Sequence, residues 1–409
     1  MKRSVPAIAL TILVITVLII DSYAGPIEAP ESSKKSGFIS VPNGRLYYEE
    51  AGQGTCIVFL HDGLFHSEIY DSQFVAFADH YRVIRYDRRG YGRSDNVNQP
   101  FSRIADLKAV CDTLKIDSAL LIGCSSGSGL AIDFTLKYAN LVTGLVLIGP
   151  VVSGMSYTDH MFTRGGRLTP EILGDLERNE NYWVDQDPYE FDPTDSGAKA
   201  RARILLDAFP QDLDFRRDQW ELPPDRPALR FLSEIKVPTL IIVGEGDIPD
   251  VHAHAGAIEA GIANARREII SHAGHLPAFE RPQETNNLIR SFILKLAFLN
   301  MISREGIPAA VKDYQASLAC YPGAKPLPET NLNQMGYQSM QSGRTGDALT
   351  LFKLAVDVYP NSFNVYDSYG EALLQSGDTA RAVANYKRSL ELNPKNTNAV
   401  QVLQRLQMR

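Results

Sequence analysis

The stretch Ala119-Leu120-Leu121-Ile122-Gly123-Cys124-Ser125-Ser126-Gly127 passes from an apolar run into a Gly-x-Ser-x-Gly string, and an apolar helical pattern follows over residues 130–138. Strand, tight turn and helix in that order make a nucleophile elbow, in which the central serine is held in a strained backbone conformation. Side chains two residues to either side would collide, which explains glycine at both flanks. Ser125 is the residue so displayed. A serine hydroxyl is a poor nucleophile near neutral pH unless an imidazole accepts its proton, and that imidazole needs an anion to fix its tautomer. Other strand ends must supply both.

Apolar β-rich runs at 38–41, 45–48, 56–60, 81–86, 119–122, 145–148, 239–243 and 268–270 alternate with helical or turn-rich segments. The first two read as a hairpin around Pro42-Asn43-Gly44. Ile57-Val58-Phe59-Leu60 and Leu240-Ile241-Ile242-Val243 are apolar on both faces, as a parallel strand between two helix layers requires. The rhythm breaks between Pro150 and Pro238, where a polar stretch with helical segments at 170–178 and 198–209 reads as a cap inserted at about 151–237. Its aromatics Tyr182, Trp183, Tyr189, Phe191 and Trp220 either line a substrate pocket, with Tyr182 and Trp183 the leading candidates, or glue the cap to the sheet.

Two strand ends offer the partners of Ser125. Gly244-Glu245-Gly246-Asp247 follows the seventh run and Ser271-His272-Ala273-Gly274-His275 the eighth, so Asp247 and His275 stand beyond carboxyl ends, where open α/β sheets gather their working groups. Glu245 and His272 are the rivals. The oxyanion formed on attack needs amide donors. One is the amide of Ser126; the second falls to Gly63 in His61-Asp62-Gly63, with His61 orienting that loop rather than binding metal.

The elbow, the acid loop, Gly274-His275-Leu276-Pro277 followed by Glu280-Arg281-Pro282, and the turn Asp87-Arg88-Arg89-Gly90-Tyr91-Gly92-Arg93-Ser94 resemble, in order, the motifs of the α/β-hydrolase superfamily over residues 38–299. The resemblance implies an α/β-hydrolase fold with a mostly parallel sheet, a triad of Ser125, Asp247 and His275, and a structural role for the 87–94 turn. It favours Asp247 over Glu245 and His275 over His272. The loop at Asp62 departs from the family's commoner His-Gly-x pattern and would set a carboxylate near the developing oxyanion unless that side chain turns away. Members that open epoxides or remove halogen carry Asp at the elbow, and cysteine lactone hydrolases carry Gly-x-Cys-x-Gly; Ser125 fits neither. His252-x-His254 reads as a surface pair at a helix start rather than a metal site.

From about residue 300 the pattern turns helical and repeats. Gly336 and Gly370, Ala348 and Ala382, Phe352 and Tyr386, and Pro360 and Pro394 are each 34 residues apart, the period of a tetratricopeptide unit. The segment 300–409 resembles that family, with repeats at about 329–362 and 363–396; Ser339 and Ser389 depart from its usual large residue and alanine. A fainter copy holds Ala310, Tyr314, Ser317 and Pro322, at a step of 38. It is expected to begin on, or beside, the last hydrolase helix, because two repeats leave an apolar face that a third surface must cover.

Composition bounds the rest. With 41 Lys+Arg against 48 Asp+Glu the net charge is -7, so no basic field is available for a phosphate backbone and nucleic acid is not an expected partner. Cys56, Cys111, Cys124 and Cys320 are too few in 409 residues for a disulfide scaffold and show no Cys-x-x-Cys motif. Lys2 and Arg3, the apolar run 5–20 and Ser22-Tyr23-Ala24 read as a signal peptide at 1–24 with a linker at 25–36, hence export to the periplasm or outside; an uncleaved leader would anchor the chain in a membrane. The expected function is an exported serine hydrolase of a carboxylic ester, thioester or lactone, needing no cofactor or metal. It would act on a small acyl substrate, with a tail for a protein or peptide partner or for stability. A small-peptide or amide hydrolase, and a catalytically idle adaptor, are the alternatives.

Overall fold

The computed structural model describes residues 34–407 apart from 322, 325 and 326. The signal-peptide expectation, nearly all of the linker and Pro322 lie outside the described residues. Eight strands form one sheet: β1 (Lys35–Val41), β2 (Gly44–Ala51), β3 (Cys56–Leu60), β4 (Arg82–Tyr86), β5 (Ala119–Cys124), β6 (Val142–Ile148), β7 (Thr239–Gly244) and β8 (Ala265–Ile270). Their order is β1-β2-β4-β3-β5-β6-β7-β8. The β1–β2 hairpin is antiparallel and β2 meets β4 antiparallel, whereas β3 to β8 run parallel. Asn43 takes the left-handed conformation that the hairpin turn needs (φ 61°). β1 takes in the last two residues of the expected linker, because Lys35 and Ser36 already pair with Glu50 and Glu49.

Two helix layers cover the sheet, and alternate strand residues feed them. Ile57, Phe59, Leu120, Ile122, Leu240 and Ile242 share one core with α1 (Asp71–Ala78). Val58, Leu60, Leu121, Ile241 and Val243 share the other with α2 (Arg103–Thr113) and α3 (Ser126–Lys137). This two-sided burial is why the runs carry no polar alternation.

Between β6 and β7 the cap is built of short pieces: α4 (Asp159–Thr163), α5 (Pro170–Leu173), α6 (Leu176–Asn181), a π-helical turn Tyr182–Gln186, α7 (Ser196–Ala208), and 3-10 turns at Pro210–Leu213, Phe215–Trp220, Ala228–Arg230 and Leu232–Glu234. The single helix expected over 170–178 is two, since Asp175 accepts a hydrogen bond from the Arg178 amide (3.0 Å) and restarts the helix. After β7 come α8 (Pro249–Gly261), α9 (Pro277–Glu280) and α10 (Pro282–Glu305).

The 24-residue α10 serves two cores at once. Leu288, Ile289 and Phe292 pack beneath the sheet, and Leu294 and Phe298 pack against α11 (Ile307–Cys320) through Ala310 and Tyr314. Then follow α12 (Glu329–Gln341), α13 (Thr345–Val358), α14 (Phe363–Gln375), α15 (Thr379–Leu392) and α16 (Thr397–Gln407), an all-helical stretch. A Cβ on Gly336 would sit 2.6 Å from the Phe352 ring, and one on Gly370 would sit 3.2 Å from the Tyr386 ring. The 34-residue spacing is thus a repeated contact of a bare helix face with the aromatic of the next helix. Among the described residues no helix is long and apolar enough to cross a membrane.

Candidate active site

Ser125 follows β5 with φ 51° and ψ -119°, a left-handed φ on a residue that bears a side chain. The crowding that fixes the elbow is backbone against backbone: a Cβ on Gly123 would lie 2.5 Å from the Gly127 carbonyl oxygen, and one on Gly127 would lie 2.2 Å from that of Leu60. The Ser125 amide donates to Ile148 O at the end of β6 (2.8 Å). The next residue, Gly149, is the floor of the His275 ring, since a Cβ there would meet Nδ1 at 3.0 Å. Ser125 and His275 therefore flank the same two residues at the sheet's carboxyl rim.

His275 is almost fully buried, and its Nδ1 stands 3.0 Å from both carboxylate oxygens of Asp247. Burial alone would push the imidazole down, but the charge and hydrogen bond of Asp247, with Glu190 behind them, raise it to about 9. Asp247 Oδ1 also accepts from the Ile248 amide (2.7 Å), which orients the carboxylate. The rivals stand apart: Glu245 is exposed, and the His272 side chain is 82% exposed.

The cap grips the histidine loop from outside. The His275 amide donates to Tyr189 O (2.8 Å) and Glu190 O (3.0 Å). Glu280 accepts from the Gly274 amide (2.7 Å) and from the cap's Asp192 amide (2.6 Å), and Arg281 pairs with the cap's Asp195 (2.6 Å). Glu190 is buried, and burial lifts its carboxyl to about 8.

Opposite, Asp62 is buried beside the elbow; burial raises its carboxyl, against the amides of Phe65 and Leu64 and the charges of His275 and Arg88. Its Oδ1 accepts from the amides of Leu64 (2.6 Å) and Phe65 (2.7 Å). His61 is buried and neutral, held well below its ordinary value by burial; its Nδ1 lies 2.9 Å from Asp62 O, and its Nε2 accepts from the Arg88 amide (2.8 Å). Among the described residues the amides of Gly63 and Ser126 have no protein acceptor. The Gly63 Cβ direction points to Ser126 Oγ, 3.4 Å away. Two free amides beside a strained serine and an imidazole backed by a carboxylate can bind an oxyanion and move a proton.

A cavity of about 320 Å³ opens on the Gly63–Ser126 side, walled by Tyr86, Tyr91 and Phe101 and by Arg88, Arg89, Arg103 and Arg217, with Asp106, Asp218 and Glu221. Ser125 and His275 do not line it; it adjoins the elbow on the side of the two free amides. Tyr182 and Trp183 do not line it either. They are buried with Phe191 in the core beneath the cap, and Tyr182 donates to Asp187 (3.2 Å). Among the described residues no group of three His, Cys, Asp or Glu is placed to hold a metal. His254 is buried and accepts from the Val152 amide (3.0 Å).

The model of the alpha/beta hydrolase family matches residues 57–288, more than half of the chain. The chain belongs to the alpha/beta hydrolase family. This hydrolase is 32% identical over 268 residues to the 2-hydroxy-6-oxononadienedioate/2-hydroxy-6-oxononatrienedioate hydrolase of Escherichia coli K12, covering 61% of the chain and 91% of the relative. It is 33% identical over 232 residues to the hydrolase of the same name in Klebsiella pneumoniae, covering 53% and 77%. Among solved structures, Est816, described as an N-acyl homoserine lactone degrading enzyme, is 26% identical with a TM-score of 0.52 over 63% of this hydrolase and all of that chain.

Two features of this hydrolase's site escape sequence reasoning. One is the buried ion pair of His66 Nδ1 with Asp212 Oδ2 (2.7 Å), which joins sheet domain to cap across 146 residues of chain. The other is the pair Arg88-Arg89 in the 87–94 turn. Neighbours on an extended exit point opposite ways, so Arg89 reaches Asp106 (2.6 Å) while Arg88 reaches Ser126 Oγ (2.8 Å). A doubled arginine after a strand was the available signal.

Proposed function

We propose that this hydrolase cleaves a carboxylic ester, thioester or lactone by acyl transfer through Ser125. His275 Nε2 takes the hydroxyl proton as Oγ bonds to the carbonyl carbon, and the oxyanion rests on the Gly63 and Ser126 amides. The tetrahedral adduct then expels the alcohol or thiol, which leaves with the proton from His275. Water, deprotonated by the same imidazole, attacks the acyl-enzyme, and Oγ departs with that proton, so the balance is one acyl compound and one water to acid plus alcohol or thiol. The observation that carries this reading is the 3.0 Å His275–Asp247 pair packed on the same two residues as the strained Ser125.

Ser125→Ala is expected to lower kcat on an aryl ester by at least about a thousandfold and to abolish labelling by a fluorophosphonate. Labelling retained in that variant removes Ser125 from its role. A second reading follows from the Escherichia coli and Klebsiella relatives: the same residues hydrolysing a 2-hydroxy-6-oxo dienoate. Turnover of such a dienoate with aryl esters left untouched would select it.

The tail is proposed as tetratricopeptide-like, on the strength of the 34-residue Gly–aromatic contacts, with a peptide partner or a stabilising role. Export through residues 1–24 belongs to the same reading. An N-terminus at Gly25 in the secreted protein supports it, and a retained Met1 counts against cleavage.

A further inference from the structure

Six of the seven charges around the cavity beside the elbow are already matched. Arg89 forks onto Asp106 (2.9 and 2.6 Å). Arg103 meets Glu221 (3.0 Å), and Asp133 behind it (3.1 Å). Arg217 lies 3.8 Å from Asp218, and its other donors go to the carbonyl oxygens of Gly63, Gln211, Asp212 and Asp214.

Arg88 is the exception. Its Nη2 donates to Ser126 Oγ (2.8 Å) and to the Asp62 carbonyl oxygen, both uncharged, and its Nε is buried without an acceptor. The residue is 7% exposed. Among the described residues no carboxylate lies within ion-pair distance of it. The Tyr91 ring lies 5.0 Å from the Arg88 Cζ and 3.5 Å from that of Arg217. A buried guanidinium without a counter-ion is costly, and an anion entering the cavity removes that cost.

We propose that this cavity is a carboxylate subsite: the substrate of this hydrolase carries an arm that ends in a carboxylate, held by Arg88 while the scissile carbonyl lies at the Gly63 and Ser126 amides. The inference rests on the serine-hydrolase reading above and adds the substrate class. Among the lining residues four arginines face three carboxylates, a surplus that suits a monoanion, while Asp62, which acts on Arg88 from outside the lining, is pushed by burial toward its neutral form; the planar guanidinium suits a carboxylate, and Tyr91 with Phe101 offers apolar walls to the methylenes between the two groups.

The test uses the full chain and paired substrates: aryl monoesters of glutarate and adipate against aryl butyrate and pentanoate. Expected is a roughly ten- to hundredfold higher kcat/KM for the acid-bearing arms, carried by KM. Free glutarate should inhibit competitively and raise the melting temperature. Arg88→Gln should collapse the preference and the glutarate effects, and Arg88→Lys should keep most of both. Equal rates on charged and neutral arms, or no effect of glutarate on the unaltered enzyme, overturns the subsite and leaves the serine reading standing. An equal loss of kcat on both substrates in Arg88→Gln, with the preference intact, also overturns it and makes Arg88 a brace of the elbow. Absence of turnover on every carbonyl substrate together with absence of phosphonate labelling overturns the serine reading instead, and the glutarate melting shift still decides the subsite.

Discussion

The elbow and the cap wall the same site and are held by different forces. Around Ser125 the restraint is backbone packed on backbone: Gly123 and Gly127 let two chain segments approach to distances no side chain would permit. The cap shares the sheet's apolar core through Phe191 and Leu206 and is latched in addition by charge. His66 with Asp212, Arg281 with Asp195, and Glu280 with the amides of Asp192 and Gly274 tie it down across long stretches of sequence. Backbone packing hardly responds to pH, whereas buried ion pairs do. The Ser125 turn therefore hardly responds to pH, and the cap and the histidine loop are the parts that solution conditions can loosen.

The largest effect is expected on the charge side of the site. Asp247→Asn should lower kcat about ten-thousand-fold, because the amide leaves the wrong tautomer at His275; a loss below tenfold would break the link between ion pair and catalysis. Asp212→Asn strips a buried charge of its partner and should cost roughly 3–5 kcal/mol in urea unfolding. His66 shows the sign. Burial opposes its charge, yet the hydrogen bond it donates to Asp212 and its ion pair with Glu68 (3.5 Å) raise it to about 9, above the unfolded value near 6.5. The latch thus contributes fully below about pH 6.5 and is lost as pH rises through about 9. Unfolding midpoints that do not fall between pH 7 and 9.5 in the unaltered protein, relative to Asp212→Asn, would contradict it.

Smaller effects sharpen the comparison. General-base catalysis needs neutral His275, so kcat/KM of the free enzyme should rise with pH up to about 9. Glu190→Gln removes one of the charges that hold the imidazole high, and the rising limb should move to lower pH by a fraction of a unit; an unmoved limb would take Glu190 out of the site's electrostatics. Smallest is Ser389→Ala in the tail, where Oγ donates to Phe363 O (2.9 Å) and accepts from Asn396 (2.8 Å). About 1 kcal/mol should be lost, read as faster amide exchange in α14 to α16 with hydrolysis unchanged.

What was legible in the sequence follows the same division. The elbow, the strand runs and the repeat at Gly336 and Gly370 depend on small residues at fixed spacing, and spacing is visible in one dimension. The hairpin, the parallel strands and a last hydrolase helix shared with the tail all follow from such patterns. Asp62 could be flagged as an awkward carboxylate but not placed, because its turn toward the amides of Leu64 and Phe65 is a local choice that the pattern leaves open. The partners of His66 and the isolation of Arg88 depend on which residues the cap brings back after more than a hundred positions, and no periodicity encodes that. Tyr182 and Trp183 show the converse: their size marked them as important, and size alone does not separate a pocket wall from the core beneath the cap.

The helix α10 belongs to both halves of the molecule. At 1.5 Å per residue its 24 residues form a rod of about 36 Å, one half riveted under the sheet and the other inside the helical tail. The tail is consequently mounted on a stiff spar instead of trailing on a leash. The helical tail is held at one bearing and one distance from the Ser125 turn, and a nick in the middle of that spar would unseat both halves of the protein together.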